Sequence, residues 1–352
     1  MPRQMNIPDS FHRPLGQTGL LVAPIVFGTS CLGNLYQVVP DETKIALISE
    51  MIRQCPAPVV IDTAGKYGAG LALEVIGHSL RKLGVPQEDV IISNKLGWYR
   101  VPLSGPEPTF ERGTWAGIGH DAQLRISHDG ILQCYEQGCE LLGEGYTSQI
   151  VSVHDPDEYL AAAKTPAERQ RRFDDVLGAY QALFELKARN LVRAVGIGAK
   201  DWQVIREIAG HVDLDWVMLA CSLTVYSHPA DLLDFISHLR SSGVGMINSA
   251  VFNAGFLTGG KWFDYRLPDP LKEAHLFTWR QKFFAVCQDF GVTPADACVQ
   301  FALAVPGIAA VALNSAKPLR IRANVESTRA QIPEAFWEAM KHHGLVMPSL
   351  PF

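Results

Sequence analysis

An α/β chain folded as a (β/α)8 TIM barrel is what this sequence predicts, and three observations carry the prediction. Eight short apolar runs alternate with longer amphipathic stretches along almost the whole chain. The first run is followed by GTSCLGN (28–34), which does not match the G-x-G-x-x-G loop that a doubly wound sheet would place there. No linker interrupts the 352 residues, so residues 1–352 are expected to form a single domain.

The strands are expected at 23–29 (APIVFGT), 59–64 (VVIDTA), 90–96 (VIISNKL) and 148–154 (SQIVSVH), then at 194–199 (AVGIGA), 216–221 (WVMLAC), 244–250 (VGMINSA) and 309–314 (AAVALN). Each is a near-continuous apolar run, as parallel strands covered by helices require. Helices are expected near 41–54, 71–83, 129–142, 173–189, 201–210 and 231–242. Three more follow at 278–304, broken at Gly291 to Pro294, and at 317–325 and 333–343. Two connections exceed the usual few residues, giving long loops after strands 3 and 7, at 97–128 and 251–277. Both leave the C-terminal ends of strands, where barrel active sites lie. Both carry aromatic residues and glycine, so they are expected to be lids or substrate walls.

Composition narrows the function. The chain is 47% hydrophobic and 19% charged, which suits a large core and argues against disorder. A net charge of −5 gives no reason to expect nucleic acid or an anionic membrane as partner. No run of 18 or more apolar residues occurs, and MPRQMNIPDSFHRPLG lacks an apolar signal region, so a soluble, cytoplasmic protein is expected. The seven cysteines are scattered without a C-x-x-C pair and read as buried free thiols. Eleven histidines show neither H-E-x-x-H nor Cys/His spacing, so no metal site is expected, and His342 and His343 read as surface.

The polar residues at strand ends carry the chemistry. Strand 2 holds Asp62 with Tyr67 just beyond it, strand 3 reaches Lys95, and strand 4 ends in His154. Three consecutive strands of a barrel thus present titratable groups at one mouth. A tyrosine hydroxyl, with a pKa of about 10, is a poor acid or base at neutral pH. A nearby lysine ammonium favours the phenolate and lowers that pKa, and Asp62 would keep Lys95 charged and aimed. Tyr67 could then exchange a proton with a carbonyl or alcohol oxygen, which His154 would orient. The set includes no nucleophile and no metal-ligand spacing, so acid/base work on such an oxygen points to hydride transfer with a nicotinamide. Taken singly, Asp62 could cap a turn, Lys95 could lie on the surface, and Tyr67 and His154 could simply pack. Their joint placement favours the chemical reading. Lys66 is left without a role and is expected at the surface.

The chain resembles the aldo-keto reductase superfamily of (β/α)8 oxidoreductases. The matching stretches are RPLGQTGLLVAPIVFGT (13–29), DTAGKYG (62–68), GLALEVIGHSL (70–80), ISNKLG (92–97), VHDPD (153–157), LVRAVGIG (191–198) and SAKPLRIRAN (315–324). The resemblance implies that Tyr67, Asp62, Lys95 and His154 form a catalytic tetrad, with Tyr67 as proton donor or acceptor. It also implies a cofactor site built from Gly28, Thr29, Gly198, Ser249, Asn314, Ser315, Arg320 and Asn324. The chain departs from the family pattern in three places. Gly198 and Ala199 stand where the family often has a Ser-Asn pair for the nicotinamide amide, and Ser222 or Leu223 stands where it often has a stacking tyrosine. Asn314 replaces the lysine of many NADP-preferring members, although Arg320 and Lys317 could hold a 2′-phosphate. The expected cofactor is therefore NAD or NADP, with NAD slightly preferred.

A narrower resemblance lies in EPTFERGTWAGIGHDAQLRISHDGI (107–131), NSAVFNAGFLTGG (248–260) and WFDYR (262–266). These look like the branch containing D-threo-aldose 1-dehydrogenase and L-fucose dehydrogenase, with L-galactose dehydrogenase and pyridoxal 4-dehydrogenase as relatives. That likeness implies oxidation of the hemiacetal C1 of an aldose of the L-fucose, L-galactose or D-arabinose type to a lactone. Trp98, Tyr99, Trp115 and His120, with Asp121, are then expected to line the sugar pocket. The alternatives are a general aldehyde or ketone reductase, a pyridoxal 4-dehydrogenase, and a nicotinamide-binding regulatory subunit. The expected partner is a small-molecule sugar, with the chain acting as a monomer or small homo-oligomer.

Overall fold

Eight parallel strands pair in chain order and close into a barrel in the computed structural model, which describes residues 11–350. They are β1 (Ile25–Gly28), β2 (Val59–Ala64), β3 (Val90–Leu96), β4 (Ile150–His154), β5 (Ala194–Ala199), β6 (Trp216–Ala220), β7 (Gly245–Ser249) and β8 (Ile308–Asn314). The expected fold is the observed one. The N-terminal stretch read for a signal region and the ends of the expected 1–352 domain lie partly outside the described residues.

Alternation along the strands explains the barrel's filling. Val60, Ile91, Ile150, Ala194 and Trp216 point inward and pack together, closed at one end by Leu15, Leu20 and Val22. Those last residues belong to or flank a short antiparallel hairpin, Arg13–Pro14 with Leu21–Val22, which the sequence reading did not identify. Gly196 makes room for Trp216: a Cβ there would lie 2.4 Å from the indole ring. Two residues further along, the same inward face carries Asp62, Ser93 and Ser152 instead of apolar side chains. The barrel is therefore dry at one end and polar at the other. Register puts the polar ends side by side, with Ala64 opposite Lys95, Lys95 opposite Ser152 and His154 opposite Gly198.

The helices lie outside and mostly fall where expected. One starts earlier: Pro166–Ala188 was expected from 173. Thr165 accepts from the Glu168 amide and Pro166 occupies the first turn, a start signal strong enough to add two turns. The long stretch 278–304 is two helices, Ala274–Asp289 and Pro294–Ala304, parted at Gly291 (φ +64°) as the break predicts. A short helix, Pro156–Ala161, follows β4 unannounced. The loop after β3 contains a hairpin, Trp98–Pro102 with His120–Leu124. Among the described residues every cysteine is free, with Cys139 and Cys221 only partly buried, and His342 and His343 are exposed. No described helix is long and apolar enough to cross a membrane.

Candidate active site

A cavity of about 690 Å³ opens at the C-terminal ends of the strands, and Asp62, Tyr67, Lys95 and His154 all line it. Asp62 and Lys95 form a hydrogen-bonded ion pair, their side chains 5% and 6% exposed. The pair is held on both sides. Ser93 Oγ donates to Asp62 Oδ1 at 2.9 Å, and Lys95 Nζ donates to the Thr63 carbonyl at 3.3 Å. Burial lowers the Lys95 pKa, but the Asp62 carboxylate and the Tyr67 hydroxyl together more than offset it, so the ammonium stays charged above its ordinary range.

Tyr67 sits on the turn after β2, its amide donating to the Ala64 carbonyl at 3.0 Å. That turn rests directly on the backbone of the 3-10 turn Ser30–Gly33. A Cβ on Gly33 would lie 2.5 Å from the Tyr67 carbonyl carbon, so only glycine permits this approach. The Lys95 ammonium lies 5.0 Å from the Tyr67 ring centroid. The His154 ring meets Tyr67 edge-on at 5.7 Å between centroids, and Trp115 lies against it at 5.9 Å.

The protonation states follow from these surroundings. Burial pushes the Tyr67 phenol above its ordinary value; Lys95 opposes this, while Asp62 and Asp155 reinforce it. The lysine thus acts in the expected direction but does not bring the tyrosine near neutral pH, because burial outweighs it. At neutral pH Tyr67 is a proton donor. Burial, then the Lys66 and Lys95 charges, hold the His154 pKa well below its ordinary value, so the ring is neutral. Its Nε2 lies 3.4 Å from Asp155 Oδ2, which favours the tautomer protonated on Nε2, and its buried Nδ1 has no hydrogen-bond partner among the described residues.

Of the residues expected at a cofactor, Gly28, Thr29, Gly198, Ser249 and Asn314 line the cavity. With Ala199, Ala220 and Ala312 they form a floor of small side chains, a slot that suits a flat ring. Ser222 and Leu223 do not line it; Leu223 is buried, and the Ser222 hydroxyl donates to the Ala220 carbonyl at 3.0 Å. Arg320 lines a separate hollow with Lys317 and Thr43 at the N-terminus of the helix Pro318–Ser327. Two cations there, beside the first turn of that helix, suit phosphate. Ser315 serves that turn, its Oγ accepting from the Lys317 amide at 3.1 Å. Asn324, further along the helix, lines neither hollow.

The expected sugar-pocket residues divide. Trp115 lines the cavity with Glu111 and Thr114, so the loop after β3 is a wall, as expected. Trp98, Tyr99 and His120 do not reach the cavity. The hairpin turns them away: Trp98 packs on Phe110 at 5.6 Å, Tyr99 lies under Arg125 at 3.9 Å, and His120 is exposed at the hairpin end. Asp121 is buried and accepts from the Thr109 amide and hydroxyl at 2.9 and 2.7 Å, tying the loop down. Lys66 is the main omission. Expected at the surface, it is buried in the cavity wall and salt-bridged to Glu111 at 2.8 Å and Asp155 at 3.2 Å. Asp155, Lys200 and Tyr265 line the cavity too. The signal for Asp155 was present in VHDPD, directly after His154.

Residues 24–344 match the model of the Aldo/keto reductase family. The chain is 26% identical over 357 residues to a pyridoxal 4-dehydrogenase of Microbacterium luteolum, covering 97% of this chain and 100% of that protein. It is 23% identical over 351 residues to a D-threo-aldose 1-dehydrogenase of a Pseudomonas species, covering 93% and 96%. The holo form of an aldo-keto reductase from Bacillus halodurans shares the fold at a TM-score of 0.68, with 18% identity over 96% of this chain and 97% of that one. On a family match that spans the whole barrel, the chain belongs to the aldo/keto reductase family and is an oxidoreductase of that kind.

Proposed function

We propose that this oxidoreductase moves a hydride from the hemiacetal C1 of an aldose to a nicotinamide, giving the lactone, with Tyr67 as general acid/base. L-Fucose, L-galactose and D-arabinose typify the substrate. One observation carries the reading: the buried Asp62–Lys95 pair, Tyr67 and His154 converge on a single cavity. The slot over Gly28, Gly198, Ala199 and Ala312 supports a nicotinamide, and the hollow at Lys317 and Arg320 supports the phosphates of NAD or NADP. When bound, the nicotinamide accepts the hydride.

The protein's part is binding and proton transfer. The C1 hydroxyl lies between Tyr67 and the Nε2–H of His154. As hydride leaves C1, the hydroxyl proton passes to the Tyr67 oxygen and the C1–O bond becomes the lactone carbonyl. Lys95 stabilises the phenolate that must be present beforehand, and Asp62 holds Lys95 in place. Neutral His154 orients the oxygen without competing for the proton. Asn314, bonded through Nδ2 to Ser30 Oγ at 2.8 Å, supplies no positive charge, which supports NAD as the slightly preferred form. We take residues 1–352 as a single cytoplasmic domain that works as a monomer or small homo-oligomer.

The test is a panel of L-fucose, L-galactose, D-arabinose and pyridoxal against NAD and NADP, read by the absorbance of reduced nicotinamide. Turnover of the sugars is expected. Silence on every sugar, with pyridoxal oxidised or simple aldehydes reduced, refutes the aldose reading; tight cofactor binding without any turnover refutes the enzymatic one.

A further inference from the structure

Lys66 is 6% exposed, and its ammonium meets three carboxylates, one from the loop after β3 and two from the segment that follows β4. Glu111 Oε1 lies at 2.8 Å, Asp155 Oδ2 at 3.2 Å and Glu158 Oε2 at 3.5 Å. An ammonium has three protons, so this set occupies it and leaves Lys66 as a positioning group. Glu111 and Glu158 are also used up. The second oxygen of Glu111 accepts from the Trp115 indole at 2.7 Å, and that of Glu158 pairs with Lys200. Asp155 differs. Its Oδ2 faces Lys66 and His154, while its Oδ1 has no hydrogen-bond partner among the described residues.

The backbone points the same way. Asp155 precedes the helix Pro156–Ala161, where an aspartate normally caps a helix amide. It makes no such bond; it sits at φ 46°, ψ 52° and lines the cavity instead. A carboxylate with one oxygen fixed by a buried lysine and the other open to a cavity is a hydrogen-bond acceptor waiting for a donor. Three carboxylates against Lys66 and Lys200 leave this wall with one excess negative charge, which disfavours phosphate or carboxylate groups and favours hydroxyls.

We propose that Asp155 accepts a hydrogen bond from the hydroxyl on the carbon next to the reacting carbon, and so selects neutral substrates that carry it. The inference rests on the reading above that the reacting oxygen sits at Tyr67 and His154 Nε2. Asp155 Oδ2 is 3.4 Å from that nitrogen, so a substrate held there brings its adjacent carbon to the carboxylate. Lys66 fixes the carboxylate and ties it, through Glu111, to the loop that carries Trp115.

The test compares D-arabinose with its 2-deoxy counterpart in oxidation, and 2-hydroxypropanal with propanal in reduction. Wild type is expected to prefer the hydroxylated member by about 10- to 100-fold in kcat/KM. Asp155→Gly tolerates the left-handed backbone without the carboxylate and should bring the ratio to within about threefold. Asp155→Asn, which keeps an acceptor oxygen, should fall between. A residue that only supports the fold would lower both members together, so an unchanged ratio in Asp155→Gly overturns the proposal, as does a wild type without preference. The two aldehydes separate this from the preceding reading. If no sugar is oxidised yet Asp155 still sets the aldehyde ratio, the aldose reading fails and this one stands. If sugars are oxidised and the ratio ignores Asp155, the reverse holds.

Discussion

Removing one member of the Asp62–Lys95 pair is the sharpest perturbation the structure offers. Both side chains are almost fully buried, at 5% and 6% exposure, so either charge left alone has little access to water. In Lys95→Met, Asp62 keeps the Ser93 hydroxyl at 2.9 Å; in Asp62→Leu, Lys95 keeps the Thr63 carbonyl at 3.3 Å and its contact with Tyr67, but neither keeps an opposite charge. A buried pair broken on one side typically costs about 3–5 kcal/mol. Replacing both members, as Asp62→Leu/Lys95→Met, removes the stranded charge, and such swaps are often near neutral. Each single variant should therefore lose about 3–5 kcal/mol in urea unfolding, and the double should lose less than either. The pH dependence has a definite sign. Asp62 raises the folded pKa of Lys95 above its ordinary value, so the pair's contribution is complete below about pH 10.4 and fades as pH rises through the folded pKa. The gap between wild type and Asp62→Leu should hold from neutral pH to that point and narrow above it. A double variant whose loss equals the sum of the singles would show that the two charges are not coupled.

Three further outcomes follow from the same geometry. Tyr67→Phe should lower kcat by about 10²- to 10⁴-fold with cofactor affinity nearly unchanged, because only proton transfer is removed; near-normal turnover would exclude Tyr67 as acid/base. Because burial raises the Tyr67 pKa, oxidation, which needs the phenolate, should climb with pH and not level off below about pH 10. A plateau near neutrality in the pH–kcat profile would mean another base acts. Gly33→Ala drives a Cβ to within 2.5 Å of the Tyr67 carbonyl carbon, so it should displace the Tyr67 turn. A loss of about 1–3 kcal/mol and a fall in kcat are expected, checked by thermal unfolding and initial rates.

Much of the site was legible because strands alternate strictly. Once VVIDTA, VIISNKL and IVSVH are read as neighbouring parallel strands, Asp62, Lys95 and His154 must share the inward face at one end. The loop residues were harder. Trp98 and Tyr99 follow β3 immediately and look poised over the mouth, but the antiparallel hairpin they enter aims them at Phe110 and Arg125. Trp115 reaches Tyr67 because the loop folds back, bridging Leu35 and packing on Phe110. Nothing in the local pattern separates these aromatics.

By itself the sequence determined the barrel, the order of its strands, the break at Gly291 and the titratable groups at its mouth. These depend on apolar runs, turn residues and a period of two, all of which act over a few neighbours. Tertiary structure alone decided the fate of Lys66, which reads as a solvated lysine in a glycine-rich turn until Glu111, Asp155 and Glu158 surround it. It also decided the balance at Tyr67, where burial outweighs the lysine beside it. Both outcomes depend on how much water and how many charges distant segments bring to one point. The energy of a buried charge is set by that sum, which no single stretch of chain contains.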